Sequence, residues 1–367
     1  MKIKRIETYS TNSVCVVKVS TDDGCEGYGQ TAPYHANITA LVLHQQLSNQ
    51  FLGAKLEKPE EIGPLVEKSI LSQYKFPWSY TCRAAGGIEL ALWDLFGKKE
   101  GVSVCELIGG KPQPIPIYGS SMRRDISPVD EATRLQKLAS EKGIRAFKIR
   151  IGAEFGLNRD VFPGRTEQVV SQVRQKLGDS VDLYVDANSA YTPEKAVEVG
   201  EMLESHGVCH YEEPCPFPEL EWTAHVTESV NIPVSGGEQD NDMAHWRRMI
   251  KMSAVNIVQP DICYIGGLSR ALQVAGYAGK AGLICTPHAA NRSLVSVATA
   301  HLMSAIQNAG KYMEFSIEAD SFCEHLFTSP LQVEDGAYVI SAHPGWGVRF
   351  NPEWLKKADF QLSALQV

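Results

Sequence analysis

The sequence predicts an α/β protein: a modified eight-stranded parallel barrel of the TIM, (β/α)8, type with an N-terminal α+β capping domain. Its 367 residues suffice for two domains, or for one large barrel with additions. Eight strand-length apolar runs alternate with long amphipathic segments through most of the chain, which is the pattern of such a barrel. A breaker-rich stretch, Gly109–Pro114, precedes these runs, so we place the capping domain at 1–112 and the barrel at 113–320.

The capping domain is predicted from a change of pattern within the first third of the chain. Residues 2–6 and 14–19 alternate as short strands between turn residues, which indicates an antiparallel meander. Helical spacing follows up to about residue 109, and Ala84–Leu95 is its clearest buried helix. The final segment, 321–367, is too long for a terminal loop, so we expect it to pack back on the capping domain.

The barrel strands are predicted at the eight apolar runs. They are Ile115–Ser120, Ala146–Ile151, Asp182–Asp186, Cys209–Glu212, Ile232–Gly236, Ala254–Gln259, Leu283–Thr286 and Tyr312–Phe315. An open doubly wound sheet usually has fewer strands, so eight runs favour a closed barrel, with a helix expected after every strand. In this fold the active site lies at the carboxyl ends of the strands, so the residues that finish the runs are the functional candidates.

The composition excludes several function classes. The 35 Lys and Arg stand against 43 Asp and Glu, a formal net charge of -8 with no basic stripe, so we expect no nucleic-acid partner. No run approaches the roughly 18 apolar residues of a membrane helix, and Met1–Arg5 leads directly into a strand pattern. We therefore expect a cytoplasmic protein with no membrane partner. Nine dispersed cysteines without a CxxC pair indicate reduced thiols.

Three acidic residues finish neighbouring predicted strands. Asp186, Glu212 and Glu238 follow one another at intervals of 26 residues, about one strand and helix each. They should therefore stand side by side at the barrel mouth, where three carboxylates repel one another unless a cation neutralises them. A hard divalent cation that prefers oxygen ligands fits best, so we predict one Mg²⁺ per active site, with Mn²⁺ as the alternative.

An aspartate and a histidine finish the next two runs. Asp261 and His288 lie 27 residues apart, so they should meet on neighbouring strands about 5 Å apart. The carboxylate would fix the tautomer of the ring and raise its basicity, which leaves the other ring nitrogen as a general base or acid.

Two cations finish the second run. Lys148 and Arg150 are two residues apart on a strand, so both side chains point to the same face, into the barrel mouth. There they could hold an anionic substrate group or, for Lys148, accept a proton; the alternative is a paired structural charge. Arg150 should bind and stabilise rather than abstract a proton, because a guanidinium stays charged at ordinary pH.

In this order, the strand-end residues resemble those of the enolase superfamily, specifically its mandelate racemase-like subgroup, over nearly the whole chain. The resemblance implies three Mg²⁺ ligands, which are Asp186, Glu212 and Glu238. It also implies that His288 with Asp261 carries out acid/base chemistry, and that Glu314 is an electrophilic or hydrogen-bonding group near the substrate carboxylate. The resemblance further suggests a homo-oligomer, a dimer or an octamer.

The resemblance implies removal of the proton α to the carboxylate of a small-molecule substrate. The family's second-strand motif is usually Lys-x-Lys, with the second lysine as the opposing base, whereas this chain has Lys148 and Arg150. A single convincing base, His288, suits β-elimination of water from an acid sugar, an aldonate or aldarate, to a 2-keto-3-deoxy acid. The alternatives are a racemase, epimerase or cycloisomerase in which Lys148 opposes His288, and a non-catalytic Mg²⁺-dependent binding protein.

Five further residues are candidate substrate contacts: Tyr34, His35, Trp78, Arg123 and Asn188. The first three lie in predicted loops of the capping domain, which in the family closes over the substrate. Asn188 finishes the third run. Arg123 and its neighbour Arg124 follow the first run, where an arginine could meet the distal carboxylate of an aldarate.

One motif points elsewhere. Gly27–Ala32 fits the dinucleotide-binding pattern G-x-G-x-x-A. It follows an antiparallel strand, Pro33 comes next, and no clear crossover helix with an acidic strand end follows, so a dinucleotide site is disfavoured. We interpret this stretch instead as a mobile capping loop.

Overall fold

The computed structural model describes residues 1–319 and 323–365. Its first part is the capping domain, in which helices follow three antiparallel strands. The strands are β1 (Ile3–Ser10), β2 (Cys15–Thr21) and β3 (Glu26–Gln30). The helices are α1 (Ala36–Val42), α2 (Ser48–Phe51), α3 (Ile62–Ser72), α4 (Trp78–Glu100) and α5 (Val104–Leu107), with a π-helical turn at Leu43–Leu47 and a 3-10 turn at Pro59–Glu61. The buried helix predicted at Ala84–Leu95 is the middle of α4.

Strand β3 crosses helix α4 so closely that two of its positions accept only glycine. A Cβ atom on Gly29 would lie 2.1 Å from the carbonyl oxygen of Gly87, and one on Gly27 would lie 2.0 Å from that of Ala91. The glycines of the G-x-G-x-x-A pattern therefore serve backbone packing. The interpretation of Gly27–Ala32 as a mobile loop is wrong for its first four residues, because they belong to β3 and pair with β2.

The second part is the barrel, in which parallel strands alternate with helices. The strands are β4 (Pro114–Ser120), β5 (Ala146–Arg150), β6 (Asp182–Asp186), β7 (His210–Glu212), β8 (Val234–Gly236), β9 (Ile257–Val258), β10 (Ile284–Cys285) and β11 (Met313–Ser316). The helices are α6 (Pro128–Lys142), α7 (Arg165–Leu177), α8 (Pro193–Ser205), α9 (Leu220–Ser229), α10 (Met243–Lys251), α11 (Ile262–Ile265), α12 (Leu268–Lys280) and α13 (Leu294–Met303). A strand overlaps each of the eight predicted runs, which confirms the barrel with its capping domain.

The barrel closes where its last strand meets its first. Strands β4 to β10 pair in chain order, and β11 pairs in parallel with β4. A bridge between Cys285 and Ala309 joins the β10 side of the remaining gap. The expectation of a helix after every strand is wrong at the eighth, since residues 317–319 and 323–332 contain none.

The C-terminal segment returns to both domains. Its elements are β12 (Val333–Glu334), β13 (Ala337–Val339), α14 (Pro352–Lys357) and β14 (Asp359–Ala364). Strand β13 pairs with the start of β4, and β14 completes the capping sheet in the order β14-β1-β2-β3. The last strand of the chain therefore pairs with the first.

A buried carboxylate holds the capping domain on the barrel. Glu89 of α4 accepts hydrogen bonds from the backbone amides of Leu268 and Ser269, at the start of α12, at 2.9 Å each. The positive end of the α12 dipole stabilises this buried charge. Trp93, one turn further along α4, donates its indole N–H to the same carboxylate at 2.7 Å.

His301 connects the barrel to two other parts of the chain. Its Nδ1 accepts a hydrogen bond from the backbone amide of Cys105 at 2.9 Å, and its ring meets Trp346 edge-on with 5.2 Å between the ring centres. Burial lowers the pKa of His301 to about 4. The junction therefore requires the neutral ring, because a protonated Nδ1 could not accept the Cys105 hydrogen bond.

Two findings concern the thiols and the helices of the described residues. Eight cysteines are free thiols: Cys15, Cys25, Cys82, Cys105, Cys209, Cys215, Cys263 and Cys285. Within residues 1–319 and 323–365, none of the helices has the length and apolar character that crossing a membrane would require.

We expect Gly29→Ala to lower the free energy of unfolding by about 3 kcal/mol, because the added methyl group overlaps backbone atoms of α4 and forces strand and helix apart. The matched control is Gly276→Ala in α12, where an added methyl group meets no atom within 4 Å. That variant should gain about 0.5–1 kcal/mol from its better helix propensity. Chemical denaturation of both variants checks the pair, and equal effects would contradict the close crossing.

We expect His301 to destabilise the fold in acid. Because its pKa falls from 6.5 in the unfolded chain to about 4 in the fold, its stabilising contribution is complete above pH 6.5 and is lost as the pH falls towards 4. Between pH 7 and pH 5 the loss amounts to about 2 kcal/mol. His301→Asn keeps an acceptor for Cys105 without the titration, so its free energy of unfolding should fall less over this range. Parallel slopes for the two proteins would rule out this role.

Candidate active site

Seven charged side chains converge at the carboxyl ends of the barrel strands, under the capping domain. All are at most 8% exposed: Lys148, Asp186, Glu212, Glu238, Asp261, His288 and Glu314. The fold explains the convergence, because parallel strands all end at the same rim of the barrel. The register sets the order along the rim, with Arg150 opposite Asp186 and Asp186 opposite Glu212.

Asp186, at the end of β6, is held by its own loop. Its carboxylate accepts hydrogen bonds from the backbone amide of Asn188 at 2.7 Å and from the side-chain amide of Asn188 at 3.0 Å. The guanidinium of Arg150 lies 3.4 Å from the same carboxylate. The candidate substrate contact Asn188 is thus brought into the site, where its side chain orients a predicted metal ligand.

The other two predicted ligands also have partners. Glu212 accepts hydrogen bonds from Lys148 at 2.7 Å and from the side-chain amide of Gln259 at 2.8 Å. Glu238 lies 3.3 Å from Nε2 of His288. Among residues 1–319 and 323–365, no three acidic, histidine or cysteine side chains converge into a ready-made metal cluster. The carboxylates face a common volume but bind neighbouring protein groups.

The charge balance of this volume fits a divalent cation. The six acidic residues Asp186, Glu212, Glu213, Glu238, Asp261 and Glu314 share it with two permanent cations, Lys148 and Arg150, and with His288. Burial raises the pKa of Glu213 well above its usual range, and repulsion by Glu238, Asp186 and Glu212 raises it further. One oxygen of Glu213 has no hydrogen-bond partner in the described part of the chain. An excess of buried carboxylate oxygen is the donor set that Mg²⁺ prefers.

The predicted dyad of His288 and Asp261 is formed. Asp261 Oδ2 accepts a hydrogen bond from Nδ1 of His288 at 2.8 Å, while its Oδ1 accepts from the amides of Cys263 and Tyr264 at the start of α11. Both carboxylate oxygens are thus occupied, so the ring is fixed with Nε2 towards the carboxylates. Burial alone would lower the pKa of His288, but Glu238, Glu314 and Asp261 outweigh it and raise the pKa to about 10.

Lys148 is enclosed by carboxylates. Its ammonium lies 2.7 Å from Glu212 and 2.8 Å from Glu314, and the ring of Tyr118 lies on another side, 5.6 Å away. Burial alone would lower the pKa of Lys148, but Glu212 and Glu314 outweigh it and hold the pKa well above its usual range. Lys148 is therefore a fixed positive charge within the site.

Glu314, on β11, links the two candidate proton carriers. One of its oxygens accepts hydrogen bonds from Lys148 at 2.8 Å and from Ser120 at 2.7 Å. The other accepts from the backbone amide of Ala289 at 2.8 Å and lies 4.0 Å from Nε2 of His288. Burial alone would raise the pKa of Glu314, but Lys148 and His288 outweigh it and lower the pKa.

The two arginines after β4 take different directions. Arg123 is not brought to the site, because its guanidinium pairs with Asp125 through two hydrogen bonds of 3.0 Å at the surface. Arg124 points inward, where it donates to the carbonyl oxygens of Ile151 and Gly152 at 3.1 and 2.8 Å. The chain bends after Arg123, and of the two neighbouring arginines only Arg124 is directed towards the site.

The candidate contacts of the capping domain lie at its edge. Tyr34 and His35 are exposed, in the loop after β3, and both have left-handed backbone conformations with φ of 62° and 51°. Burial raises the pKa of Tyr264, whose ring lies 6.0 Å from that of His288. Trp78 begins α4, half-buried, and its indole N–H has no hydrogen-bond partner among the described residues.

Sequence reasoning assigned no role to several residues of the site: Arg83, Ser120, Gln239, Gln259 and Tyr264. Gln239 and Gln259 stand beside or at strand ends, which is a signal that could have singled them out. Arg83 precedes a buried helical run, where nothing in the local pattern indicates that it meets the barrel.

Known protein families match both domains of this chain. Residues 3–109 match the family described as the mandelate racemase / muconate lactonizing enzyme N-terminal domain. Residues 130–354 match the family described as enolase C-terminal domain-like. The chain belongs to the enolase superfamily. The first match ends at Gly109, where the breaker-rich stretch begins, and the second match begins within α6.

Curated relatives span most of this enolase superfamily chain. D-galactarolactone cycloisomerase of Agrobacterium fabrum is 29% identical over 352 residues, which cover 93% of this chain and 89% of that protein. Arabinonate dehydratase of Saccharolobus solfataricus is 26% identical over 344 residues, which cover 91% of this chain and 87% of that protein. The named activities among these relatives are thus dehydration and cycloisomerisation of acid sugars.

Solved structures of the superfamily superpose over the whole chain. A protein of Roseobacter denitrificans that carries a provisional racemase name is 50% identical with a TM-score of 0.97, and the match covers 100% of both chains. L-talarate dehydratase of Polaromonas sp. JS666, solved with Mg and L-glucarate, has a TM-score of 0.85 at 22% identity, covering 100% of this chain and 99% of that one. At that identity the likeness shows the fold alone.

Proposed function

We propose that this enolase superfamily member dehydrates an acid sugar to a 2-keto-3-deoxy acid. The observation that carries the proposal is the difference between its two candidate bases. His288 is held by Asp261 with Nε2 directed at the carboxylate cluster, whereas the Lys148 ammonium is bound by Glu212 and Glu314. Dehydration needs one group that takes a proton and returns it, and this arrangement supplies one.

The cation that we propose for this reaction is Mg²⁺, held by Asp186, Glu212 and Glu238. Bound there, it would supply positive charge to both oxygens of the substrate carboxylate as that group gains negative charge. Asn188 orients Asp186, and Gln259 orients Glu212, through the hydrogen bonds described above. Such outer contacts keep ligands in place before the substrate arrives.

The carboxylates that raise the pKa of His288, Glu238 among them, would lose much of this effect once a bound cation neutralised them, which would leave the ring neutral. In the proposed step, Nε2 of the neutral His288 takes the proton from C2 of the substrate. The electron pair of the C2–H bond forms the C2–C3 double bond as the C3–O bond breaks. The imidazolium returns its proton to the departing hydroxyl, so water leaves and His288 is neutral again. The enol product then tautomerises to the 2-keto-3-deoxy acid, taking a proton from solvent at C3.

Neighbouring side chains favour this path. Asp261 stabilises the imidazolium and keeps its tautomer, as a buried carboxylate at 2.8 Å should. Lys148 and Arg150 add fixed positive charge beside the position of the substrate carboxylate, and burial strengthens their effect. Glu314 sits between Lys148 and His288, where it can receive a hydrogen bond from a substrate hydroxyl or carboxyl group.

A second candidate is isomerisation. The names of the Agrobacterium cycloisomerase and the Roseobacter protein favour it. Epimerisation requires a second base on the opposite face of C2, and Lys148 could serve only after leaving both Glu212 and Glu314. The buried ion pairs make that costly, because an unpaired charge would remain in the barrel.

Proton NMR in D₂O tests the reaction. With Mg²⁺ and a panel of monoacid and diacid sugars, we expect a 2-keto-3-deoxy product that carries deuterium at C3. Deuterium at C2 without loss of water would instead establish racemisation, epimerisation or a half-reaction. His288→Asn should slow turnover by about 10²- to 10⁴-fold, since it removes the general base. Full activity of this variant would overturn the role of His288.

Thermal unfolding with and without Mg²⁺ tests the cation. Mg²⁺ at a hundred times its Kd should stabilise the fold by about 3 kcal/mol, and a chelator should reverse the gain. Asp186→Asn should lose the Mg²⁺-dependent shift, whereas His288→Asn should keep it. Asp182→Asn is the matched control on the same strand, because Asp182 pairs with Lys311 at the opposite end of β6. A Mg²⁺-dependent shift that survives in Asp186→Asn would contradict the ligand set.

A further inference from the structure

Arg83 is a residue of the capping domain that contacts two segments of the barrel, helix α11 and the loop after β8. It belongs to the first turns of α4 and is half-buried. Its guanidinium carbon lies 3.8 Å from the centre of the Tyr264 ring, and one of its nitrogens donates a hydrogen bond to the side chain of Gln239 at 3.3 Å. Stacking on the ring and this hydrogen bond fix the plane of the guanidinium.

Both contacts of Arg83 lead directly to the proposed chemistry. The Tyr264 ring lies 6.0 Å from the His288 ring, and Gln239 donates a hydrogen bond to Glu238 at 3.0 Å. The guanidinium is thus separated from the proposed base by one ring, and from a proposed metal ligand by one side chain.

The guanidinium of Arg83 has unused binding capacity. A guanidinium carries five N–H donors, and Arg83 forms one hydrogen bond and no ion pair within residues 1–319 and 323–365. The other cations around the barrel mouth are engaged with the chain. These pairings are Lys148 with Glu212 and Glu314, Arg150 with Asp186, Arg124 with the carbonyls of Ile151 and Gly152, and Arg123 with Asp125.

We infer that Arg83 binds a second carboxylate at the far end of the substrate, so that the substrate is a dicarboxylic acid sugar. The inference rests on the proposed function, since it places the first carboxylate at the cation site. A fixed, stacked guanidinium matches a carboxylate through two parallel hydrogen bonds, and its partial burial strengthens them. A sugar monoacid ends in a hydroxyl group, which leaves this charge without a partner.

The test compares two substrates of the same configuration, galactarate with a carboxylate at each end and galactonate with one. With Mg²⁺, the wild-type enzyme should have a higher kcat/KM for the diacid. Arg83→Gln should lower kcat/KM for galactarate by about 10- to 100-fold, mainly through KM, and should change that for galactonate little. Arg83→Lys should recover part of the loss, since it keeps the charge but not the planar fork. If neither sugar is turned over, the same comparison is made with another diacid and monoacid pair from the NMR panel.

The control variant is Arg5→Gln, which removes the same charge from the capping domain, where Arg5 pairs with Glu7 on the outer face of β1. It should leave the ratio of the two kcat/KM values unchanged. An equal loss on both substrates in Arg83→Gln would mean that Arg83 only positions Glu238 through Gln239, and would overturn the inference. So would a wild-type preference for the monoacid. Absence of turnover or deuterium exchange with every acid sugar would overturn the proposed function itself.

Discussion

Repulsion among buried carboxylates governs the active-site end of this molecule. Six acidic side chains share a volume that water barely reaches, and a parallel barrel cannot spread them apart because its strands end at one rim. Three basic groups offset this repulsion, and each lies next to a carboxylate: Lys148, Arg150 and the ring of His288. The carboxylate oxygens that do not contact a cation accept hydrogen bonds from side-chain amides, such as those of Asn188 and Gln259. The need to stabilise the carboxylates thus sets the positions of these polar groups.

The sequence alone predicts the residues at the carboxyl ends of the barrel strands well, because the end of a strand is encoded by neighbouring residues in the sequence. A strand ends where its apolar run ends, so the residue that finishes each run can be named before any contact is known, as for Asp186 and His288. Contacts that come from a distant part of the chain carry no such signal. Arg83 belongs to the capping domain and meets the barrel only because α4 docks there, and Arg123 and Arg124 differ only in the direction that one turn gives them. The interpretation of Gly27–Ala32 as a mobile loop is wrong at its first four residues for the same reason, because the G-x-G-x-x-A pattern does not reveal that α4 packs against these glycines.

Buried hydrogen bonds hold the junction between the two domains. Glu89 of α4 accepts the backbone amide of Leu268 at the start of α12, and His301 of the barrel accepts the amide of Cys105 in α5. A junction of this kind leaves little freedom for α4 to shift on the barrel. The residues at the start of α4 can therefore hold a position relative to the strand ends with the precision that recognition of a substrate demands.

The pairing of β14 with β1 has a consequence for biosynthesis. Arg5 stands opposite Ala364, so the capping sheet is completed by contacts that span nearly the whole chain. Synthesis has to pass β14 before this edge can close, and until then β1 exposes an unsatisfied row of backbone amides and carbonyls to neighbouring chains. Closure of so large a loop is slow compared with local helix formation. All eight barrel strands are therefore synthesised while the capping sheet still lacks its outermost strand, β14.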